Sequence, residues 1–105
     1  MGYYNDENYK YEMPEEIKDK FTKEMLLDFI EEFIDIFDCK GEVTYYEDMA
    51  YSEGTIGWHN AFTRMCRKYE LDDVIKYVDS LEWYDYDWFC DGFSNLLLGF
   101  EVIKE

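Results

Sequence analysis

The chain has 105 residues, of which 26 are Asp or Glu and 10 are Lys or Arg, and its formal net charge is −16. This length fits about one domain, and the charge excludes metal-free binding to nucleic-acid phosphates and disfavours anionic membranes. Apolar residues make up 48% of the chain and aromatic residues 21%, which excludes disorder by composition. We therefore predict a single folded domain over residues 1–105 with an acidic surface.

The first 20 residues predict an arm followed by a short helix. Residues 1–13 show no helical or strand periodicity, so we expect a loosely ordered or loosely docked N-terminal arm. Pro14 is followed by Glu15 and Glu16, a combination that suits the first turn of a helix because proline needs no amide partner there and acids favour its positive end. We expect this helix to end near Lys20.

The strongest predicted element begins after Thr22, a good N-cap, and ends near Asp38 or Cys39, with Gly41 placed to terminate it. Its apolar residues recur at helical spacing, and acidic residues keep the same rhythm on another face. These acids are Glu24, Asp28, Glu31, Glu32, Asp35 and Asp38. The pattern predicts an amphipathic helix with an anionic outer stripe.

The middle of the chain predicts a loop and then a basic helix. Residues 41–54 read as a loop with a short β-like excursion near residues 43–46. Residues 55–69 place Trp58 and Phe62 on an apolar helical face and contain three cations, Arg64, Arg67 and Lys68, but no acid. We expect these cations to pair with acids of neighbouring elements, which relieves self-repulsion in the fold.

Two further helices complete the predicted architecture. Asp72 is a fair N-cap for a helix that carries Val74 and Val78. A Trp/Tyr/Asp cluster at residues 82–88 interrupts the pattern, and the last helix is expected to begin near Asp87. The fold class is therefore predicted as mainly α, a compact bundle of four to five helices.

Motifs for catalysis or metal binding are missing from the sequence. His59 is the one histidine, and no HExxH or CxxC spacing accompanies it. Asp85, Asp87 and the Asp91-Gly92 pair faintly resemble a calcium loop, but the glycine falls at position 8 instead of 6 and position 12 has no Glu, which excludes an EF-hand. The Gly54-x-x-Gly57 pair is too short to predict a phosphate cradle. We expect no enzyme activity, cofactor or metal.

Cysteine usage and the lack of apolar runs indicate the compartment. Cys39, Cys66 and Cys90 are odd in number and widely spaced, which does not suit a disulfide framework. We therefore expect core thiols in a reduced, cytoplasmic setting. The sequence shows no signal-peptide pattern and no run approaching about 18 apolar residues, so we expect no membrane association.

The acidic stripe of the main predicted helix approaches the charge density of a nucleic-acid strand. Its six carboxylates lie between Glu24 and Asp38, a span of about 21 Å at about 1.5 Å per residue. This gives roughly one charge per 3.5 to 4 Å, against one phosphate per about 3.4 Å of a DNA strand. A solvated face of any acidic helix would look similar, but solubility alone needs a net charge of only about 2 to 8. The excess favours a functional stripe.

Tyrosine and acidic residues form three clusters, at residues 3–7, 45–48 and 83–87. Aromatic side chains anchor protein interfaces, and neighbouring carboxylates pair with Arg or Lys of a partner. Alternatively, these tyrosines edge the core with their hydroxyls in water. The candidate partner-binding residues outside the main helix are Tyr45, Tyr46, Glu47, Asp48, Glu82, Tyr84, Asp85, Tyr86, Asp87 and Asp91.

In overall size and charge, the chain resembles the DNA-mimic inhibitors of phages and mobile elements, of the anti-CRISPR and anti-restriction type. The resemblance implies a cytoplasmic inhibitor, acting in a bacterial host, whose carboxylates occupy the DNA or RNA site of a basic partner. That partner would be a Cas effector, a restriction enzyme or a nuclease. On this hypothesis, reversing Asp28, Glu31, Glu32 and Asp35 to Lys abolishes target binding and leaves the fold intact.

Two alternatives stay open. Tyr45-Tyr46-Glu47-Asp48, followed by a turn between Gly54 and Gly57 into a helix, is similar to part of the nuclease-toxin immunity proteins. An acidic adaptor for an unrelated basic protein is the third possibility. The sequence leaves the target, the binding face and the oligomeric state open.

Overall fold

Helices dominate the described part of the chain. The computed structural model describes residues 11–39 and 43–105. In chain order the helices are α1 Glu15–Lys18, α2 Lys23–Phe37, α3 Glu47–Ala50, α4 Ile56–Lys68, α5 Asp72–Asp79 and α6 Trp83–Gly99. Because α1 and α3 have four residues each, four longer helices carry the architecture. The prediction of a mainly α bundle is confirmed.

Helix α2 begins as predicted and ends at an acidic residue in the left-handed region. The Thr22 side chain accepts a 3.3 Å hydrogen bond from the Met25 amide. Asp38 adopts φ 53°, and its amide donates to the Ile34 carbonyl. Aspartate is one of the few residues that tolerate this conformation. The terminating residue is therefore Asp38, and the predicted Gly41 lies outside the described residues.

The predicted β-like excursion is a single bridge in the described chain. Tyr45 pairs in parallel with Lys104. The Tyr46 amide donates to the Lys104 carbonyl at 2.6 Å, and the Lys104 amide donates to the Thr44 carbonyl at 2.9 Å. These bonds tie the segment before α3 to the C-terminal end of the chain.

Helix α4 packs closely against α2. The Thr55 side chain accepts a 3.2 Å hydrogen bond from the Trp58 amide and caps the helix. The apolar face predicted from Trp58 and Phe62 is buried. A Cβ added to Gly57 would lie 2.4 Å from the Phe37 ring, so the two helices approach at a point where only glycine fits.

The last two helices begin earlier than predicted. The N-cap of α5 is Leu71, and Asp72 is its first helical residue. Helix α6 begins at Trp83 instead of near Asp87, and the Tyr86 amide already donates to the Glu82 carbonyl at 2.8 Å. The Trp/Tyr/Asp cluster therefore forms the first turns of α6. It lacks a clear apolar period because Trp83 is 64% exposed.

The core is rich in aromatic rings. Trp58 and Phe62 stack with their centroids 5.5 Å apart, and Phe93 of α6 meets both rings edge-on. The expectation of core thiols holds for Cys66 and Cys90, whereas Cys39 is only half-buried. Burial raises the pKa of both buried thiols to about 12.

The described end of the predicted arm is docked. Tyr11 is half-buried and its hydroxyl hydrogen-bonds to that of Tyr77 in α5, while Met13 packs against the core. Residues 1–10 lie outside the described part. Within residues 11–39 and 43–105, each helix is too short or too polar to cross a lipid bilayer.

Candidate functional site

The basic helix α4 neutralises part of the acidic stripe of α2. Lys68 Nζ lies 3.2 Å from Asp28 Oδ1. Arg64 Nη1 lies 3.3 Å from Glu32 Oε1 and 3.2 Å from Asp35 Oδ2. We call these five residues the α2–α4 ion-pair network. The compensation expected of the basic segment is therefore found for Arg64 and Lys68, whereas Arg67 forms no ion pair within the described residues.

A tyrosine strengthens this network at Asp28. The Tyr69 hydroxyl donates a hydrogen bond to the Asp28 carboxylate. This bond, together with Lys68, lowers the pKa of Asp28 below its ordinary value of 3.8. The same bond and burial raise the pKa of Tyr69 to about 12. Asp28 is therefore an ionised carboxylate whose partners, Tyr69 and Lys68, belong to the same chain.

The remaining carboxylates of the stripe are too sparse to match a phosphate strand. Glu24, Glu31 and Asp38 are exposed and follow one another at intervals of seven residues. At about 1.5 Å per residue this interval is about 10.5 Å, or roughly three phosphate steps of about 3.4 Å. The six-carboxylate stripe predicted from the sequence is therefore divided between three acids of the α2–α4 ion-pair network and three exposed acids outside it.

In the cluster at residues 45–48, the acid Asp48 stabilises the local turn. Asp48 Oδ2 accepts hydrogen bonds from the amides of Thr44 and Tyr45 at 2.9 and 2.8 Å, and these bonds lower the pKa of Asp48. Tyr45 and Glu47 are exposed, whereas Tyr46 is half-buried. The cluster at residues 3–7 lies outside the described part.

A second acidic site lies where the turn before α4 meets α6. Tyr46 donates a 3.0 Å hydrogen bond to Asp91, and Ser94 donates a 2.6 Å hydrogen bond to Glu53. Asp87 lies beside Gly54, whose added Cβ would be 2.6 Å from Asp87 Oδ1. We call Glu53, Asp87 and Asp91 the α6 acidic cluster. Within the described chain, no cation forms an ion pair with any of the three.

Burial and mutual repulsion disfavour the ionised form of carboxyl groups in the α6 acidic cluster. Burial raises the pKa of Glu53, and the neighbouring Asp91 and Asp87 raise it further against the opposing hydrogen bond from Ser94. Burial also raises the pKa of Asp87. Burial, then the charge of Glu53, raises the pKa of Tyr46 to about 12. A cation brought by a partner would relieve this repulsion.

Sequence reasoning identified Asp87, Asp91 and Tyr46 as candidates but missed Glu53. Gly54 adopts φ 84°, which is the conformation that glycine accepts readily, and this turn carries Glu53 onto α6. A glycine directly before the Thr55 N-cap was the available local signal. The partner Ser94 lies 41 residues away, and no local pattern indicates that contact.

An apolar groove opens beside the α6 acidic cluster, between α4, the end of α5 and the start of α6. We call it the α4–α6 groove, and it has a volume of about 310 Å³. Ile56 and Trp83 lie on it with 79% and 64% of their surface exposed. Its lining consists of Gly54, Thr55, Ile56, His59, Val78, Asp79, Leu81, Trp83 and Tyr86.

His59 links two walls of the groove. Its Nδ1 lies 3.3 Å from the Tyr86 hydroxyl and its Nε2 lies 3.2 Å from Asp79 Oδ1. The tautomer with hydrogen on Nε2 fits both contacts, since Nε2–H donates to Asp79 and Nδ1 accepts from Tyr86. Burial raises the pKa of Tyr86, which keeps its hydroxyl neutral. His59 is half-buried in this position, on the surface of α4 that faces the groove.

The other predicted residues at the start of α6, Glu82, Tyr84 and Asp85, are not part of the groove lining. Glu82 is the exposed N-cap residue of the helix. Tyr84 and Asp85 are half-buried in its first turn. Among residues 11–39 and 43–105, no group of three or more His, Cys, Asp or Glu side chains is arranged to hold a metal ion.

Comparison of the chain with family models, curated proteins and solved structures gives no match.

Proposed function

We propose that this protein is an acidic, non-enzymatic inhibitor that binds a basic nucleic-acid-binding protein. The partner is a Cas effector, a restriction enzyme or a nuclease inside a bacterial cell, and the inhibitor's carboxylates take the place of phosphates in its DNA or RNA site. The observation that supports this most is the α6 acidic cluster, three carboxylates that pair with no cation of the described chain.

The charge of the whole chain supports a basic partner. The formal net charge is −16, and self-repulsion of this size disfavours the compact state. The α2–α4 ion-pair network removes part of the repulsion on one side of the molecule. On the α6 side, repulsion contributes to the raised pKa of Glu53. Binding to Arg or Lys of a partner would relieve that repulsion and speed association by electrostatic steering.

The neighbouring groove supports a protein partner over a simple counter-ion. Exposed aromatic and aliphatic side chains around a concave site are typical of interface hot spots. Ile56 and Trp83 provide such side chains next to the carboxylates. A surface that combines both features offers apolar contact area for affinity and charge for orientation.

A competition experiment tests the proposal. Proteins from a bacterial lysate are retained on the immobilised chain at low salt and identified, and the purified target is loaded with a fluorescent DNA or RNA duplex. We expect the chain to displace the duplex at near-equimolar amounts. We also expect its affinity for the target to fall by at least about tenfold between about 50 and 200 mM salt. A target that keeps its duplex when saturated with this protein would contradict occupation of the nucleic-acid site.

Two matched variants locate the binding face. Glu53→Gln/Asp87→Asn/Asp91→Asn neutralises the α6 acidic cluster, and Glu24→Gln/Glu31→Gln/Asp38→Asn removes the same charge from α2. We expect the first variant to bind the target about tenfold more weakly than the second, since its three carboxylates lie together beside the groove, whereas those of the second are about 10.5 Å apart along α2. Equal losses would show that net charge alone carries recognition. Protection from a nuclease toxin that still binds DNA would instead support the immunity-protein alternative.

A further inference from the structure

We propose that the α4–α6 groove is a pocket for a single arginine side chain of the partner. The proposal rests on the proposed function for the source of that arginine, a basic protein, but its chemistry is carried by the groove itself. Three features carry it: the size and lining of the groove, one carboxylate at its edge, and one exposed indole.

The groove has the size and lining for one long side chain. Its volume of about 310 Å³ lies at the low end of the range of roughly 300 to 1,000 Å³ for ligand pockets. Val78 and Leu81 line its interior and suit the methylene stem of an arginine, which packs well on apolar surface.

Asp79 supplies an acceptor for the guanidinium. Its Oδ1 meets His59 Nε2 at 3.2 Å, and its side chain stays 55% exposed. A carboxylate has about four acceptor sites, so one hydrogen bond from His59 leaves room for a guanidinium. His59 also holds the carboxylate in place, because its other nitrogen contacts Tyr86.

Trp83 supplies the feature that favours arginine over lysine. Its indole is 64% exposed at the start of α6 and lines the groove together with Asp79. A planar guanidinium stacks on an indole face and sheds water more readily than an ammonium group does. The adjoining α6 acidic cluster reaches the groove at Gly54. Its negative potential favours a cationic side chain over an uncharged one.

A peptide titration of the full chain tests the pocket. The probes are acetyl-Gly-Arg-Gly-amide and its Lys and Leu counterparts at constant ionic strength. Binding is followed by NMR through the Trp83 indole N–H signal, assigned with Trp83→Leu. We expect the arginine peptide to bind about threefold to tenfold more tightly than the lysine peptide, the gain of a stacked cation over a hydrated one. Equal affinities, or tighter binding of the leucine peptide, would overturn the proposal.

Variants separate the pocket from general attraction by charge. Trp83→Leu should remove the preference for arginine, and Asp79→Asn should weaken binding of the arginine peptide, both read from backbone amide shifts around the groove. Tyr51→Leu, at a tyrosine 74% exposed outside the groove, and Asp19→Asn, an exposed acid elsewhere, should keep it. A preference that survives in Trp83→Leu would overturn the proposal.

The titration is independent of any nucleic-acid competition. An arginine-selective groove in a protein that fails to displace DNA would refute the proposed function and leave the pocket standing. Displacement of DNA by a protein whose groove does not distinguish arginine from lysine would refute only the pocket.

Discussion

The Ser94 hydroxyl donates a 2.6 Å hydrogen bond to Oε2 of Glu53, and so ties the turn before α4 to the buried face of α6. Ser94 is 1% exposed, whereas the carboxylate that it binds stands beside Asp87 and Asp91. The hydrogen bond from Ser94 keeps the Glu53 carboxylate near Asp87 and Asp91, which repel it. A site that keeps such charges together is suited to receive a cation from outside.

Neutralising Glu53 should stabilise the fold at neutral pH. The folded-state pKa of Glu53 lies above its ordinary value of 4.5, so the native state binds more protons than the unfolded state between those two values. Stability is therefore lost as pH rises from about 4.5 through the folded pKa. Glu53→Gln removes this loss and keeps an acceptor for Ser94. We expect a gain of about 0.5 to 1 kcal/mol in the free energy of unfolding at pH 7, measured by urea denaturation.

The pH dependence of that gain is the control. Below pH 4.5 the wild-type side chain is protonated in both states, so the difference between Glu53→Gln and the wild type should shrink toward zero. Glu105→Gln, an exposed acid near the C-terminal end, should leave stability unchanged at both pH values. A loss of stability in Glu53→Gln at pH 7 would contradict the picture of a repelling cluster.

Neutralising Asp28 should have the opposite effect. Its side chain is only 17% exposed, and its pKa is lowered below 3.8 by the hydrogen bond from Tyr69 and by Lys68. A lowered folded pKa means that this contribution to stability is present above about 3.8 and is lost as pH falls through the folded value. We expect Asp28→Asn to cost about 1 kcal/mol at pH 7, measured by denaturant unfolding.

The comparison variant for Asp28 lies on the same helix. Asp35 also pairs with α4, but its side chain is 76% exposed, so Asp35→Asn should cost less, as exposed ion pairs generally do. The loss in Asp28→Asn should disappear in acid. If Asp28→Asn remains less stable than the wild type at the lowest pH, the contribution of Asp28 to stability comes from packing and not from its charge.

Reversing the acids that face α4 should destabilise the fold as well as alter binding. Asp28→Lys/Glu32→Lys/Asp35→Lys would bring three cations against Arg64 and Lys68. The sequence-based expectation was that reversing Asp28, Glu31, Glu32 and Asp35 leaves the fold intact, whereas the contacts of three of these acids with α4 predict a loss of stability. We expect the Tm to fall by about 5 to 10 °C, which corresponds to a loss of roughly 1 to 2 kcal/mol, in thermal melts followed by circular dichroism.

An equal reversal away from α4 provides the comparison. Glu24→Lys/Glu31→Lys/Glu47→Lys changes the net charge by the same amount at exposed positions. Its Tm should stay level or rise, since it relieves the overall repulsion. Similar losses in the two triple variants would mean that the α2–α4 ion-pair network contributes little.

A methyl group at Gly57 should separate α2 from α4. An added Cβ would meet three atoms of the Phe37 ring at 2.4 to 3.1 Å, and overpacking of this kind costs about 1 to 3 kcal/mol. Gly99→Ala is the matched variant, because nothing lies within 4 Å of its added Cβ and alanine favours helix over glycine. Unfolding measurements should show destabilisation at Gly57 alone; equal behaviour of the two would argue against the close approach.

Local sequence patterns were sufficient for most of the helices. The spacing of apolar residues and the N-cap Thr22 act within a few residues, and the structure has α2 and α4 close to the predicted ranges. The start of α6 was missed because Trp83 stays exposed there and the 3.6-residue period fails. The first turns of a helix that face solvent show no periodic spacing of apolar residues, so the sequence pattern does not predict where the helix begins.

The excess of acid over base is determined by composition alone, and no packing can change it. Which carboxylates remain available is decided by the tertiary structure, because an ion pair requires two atoms within about 4 Å of each other. Asp28 contacts Lys68 and Tyr69, which lie some 40 residues further along the chain, and Lys68 balances its charge. Glu31 lies in the same acidic stripe of α2 but stays exposed. Glu53, which no sequence pattern singles out, is placed against α6 by the turn at Gly54, and no cation of residues 11–39 and 43–105 forms an ion pair with it.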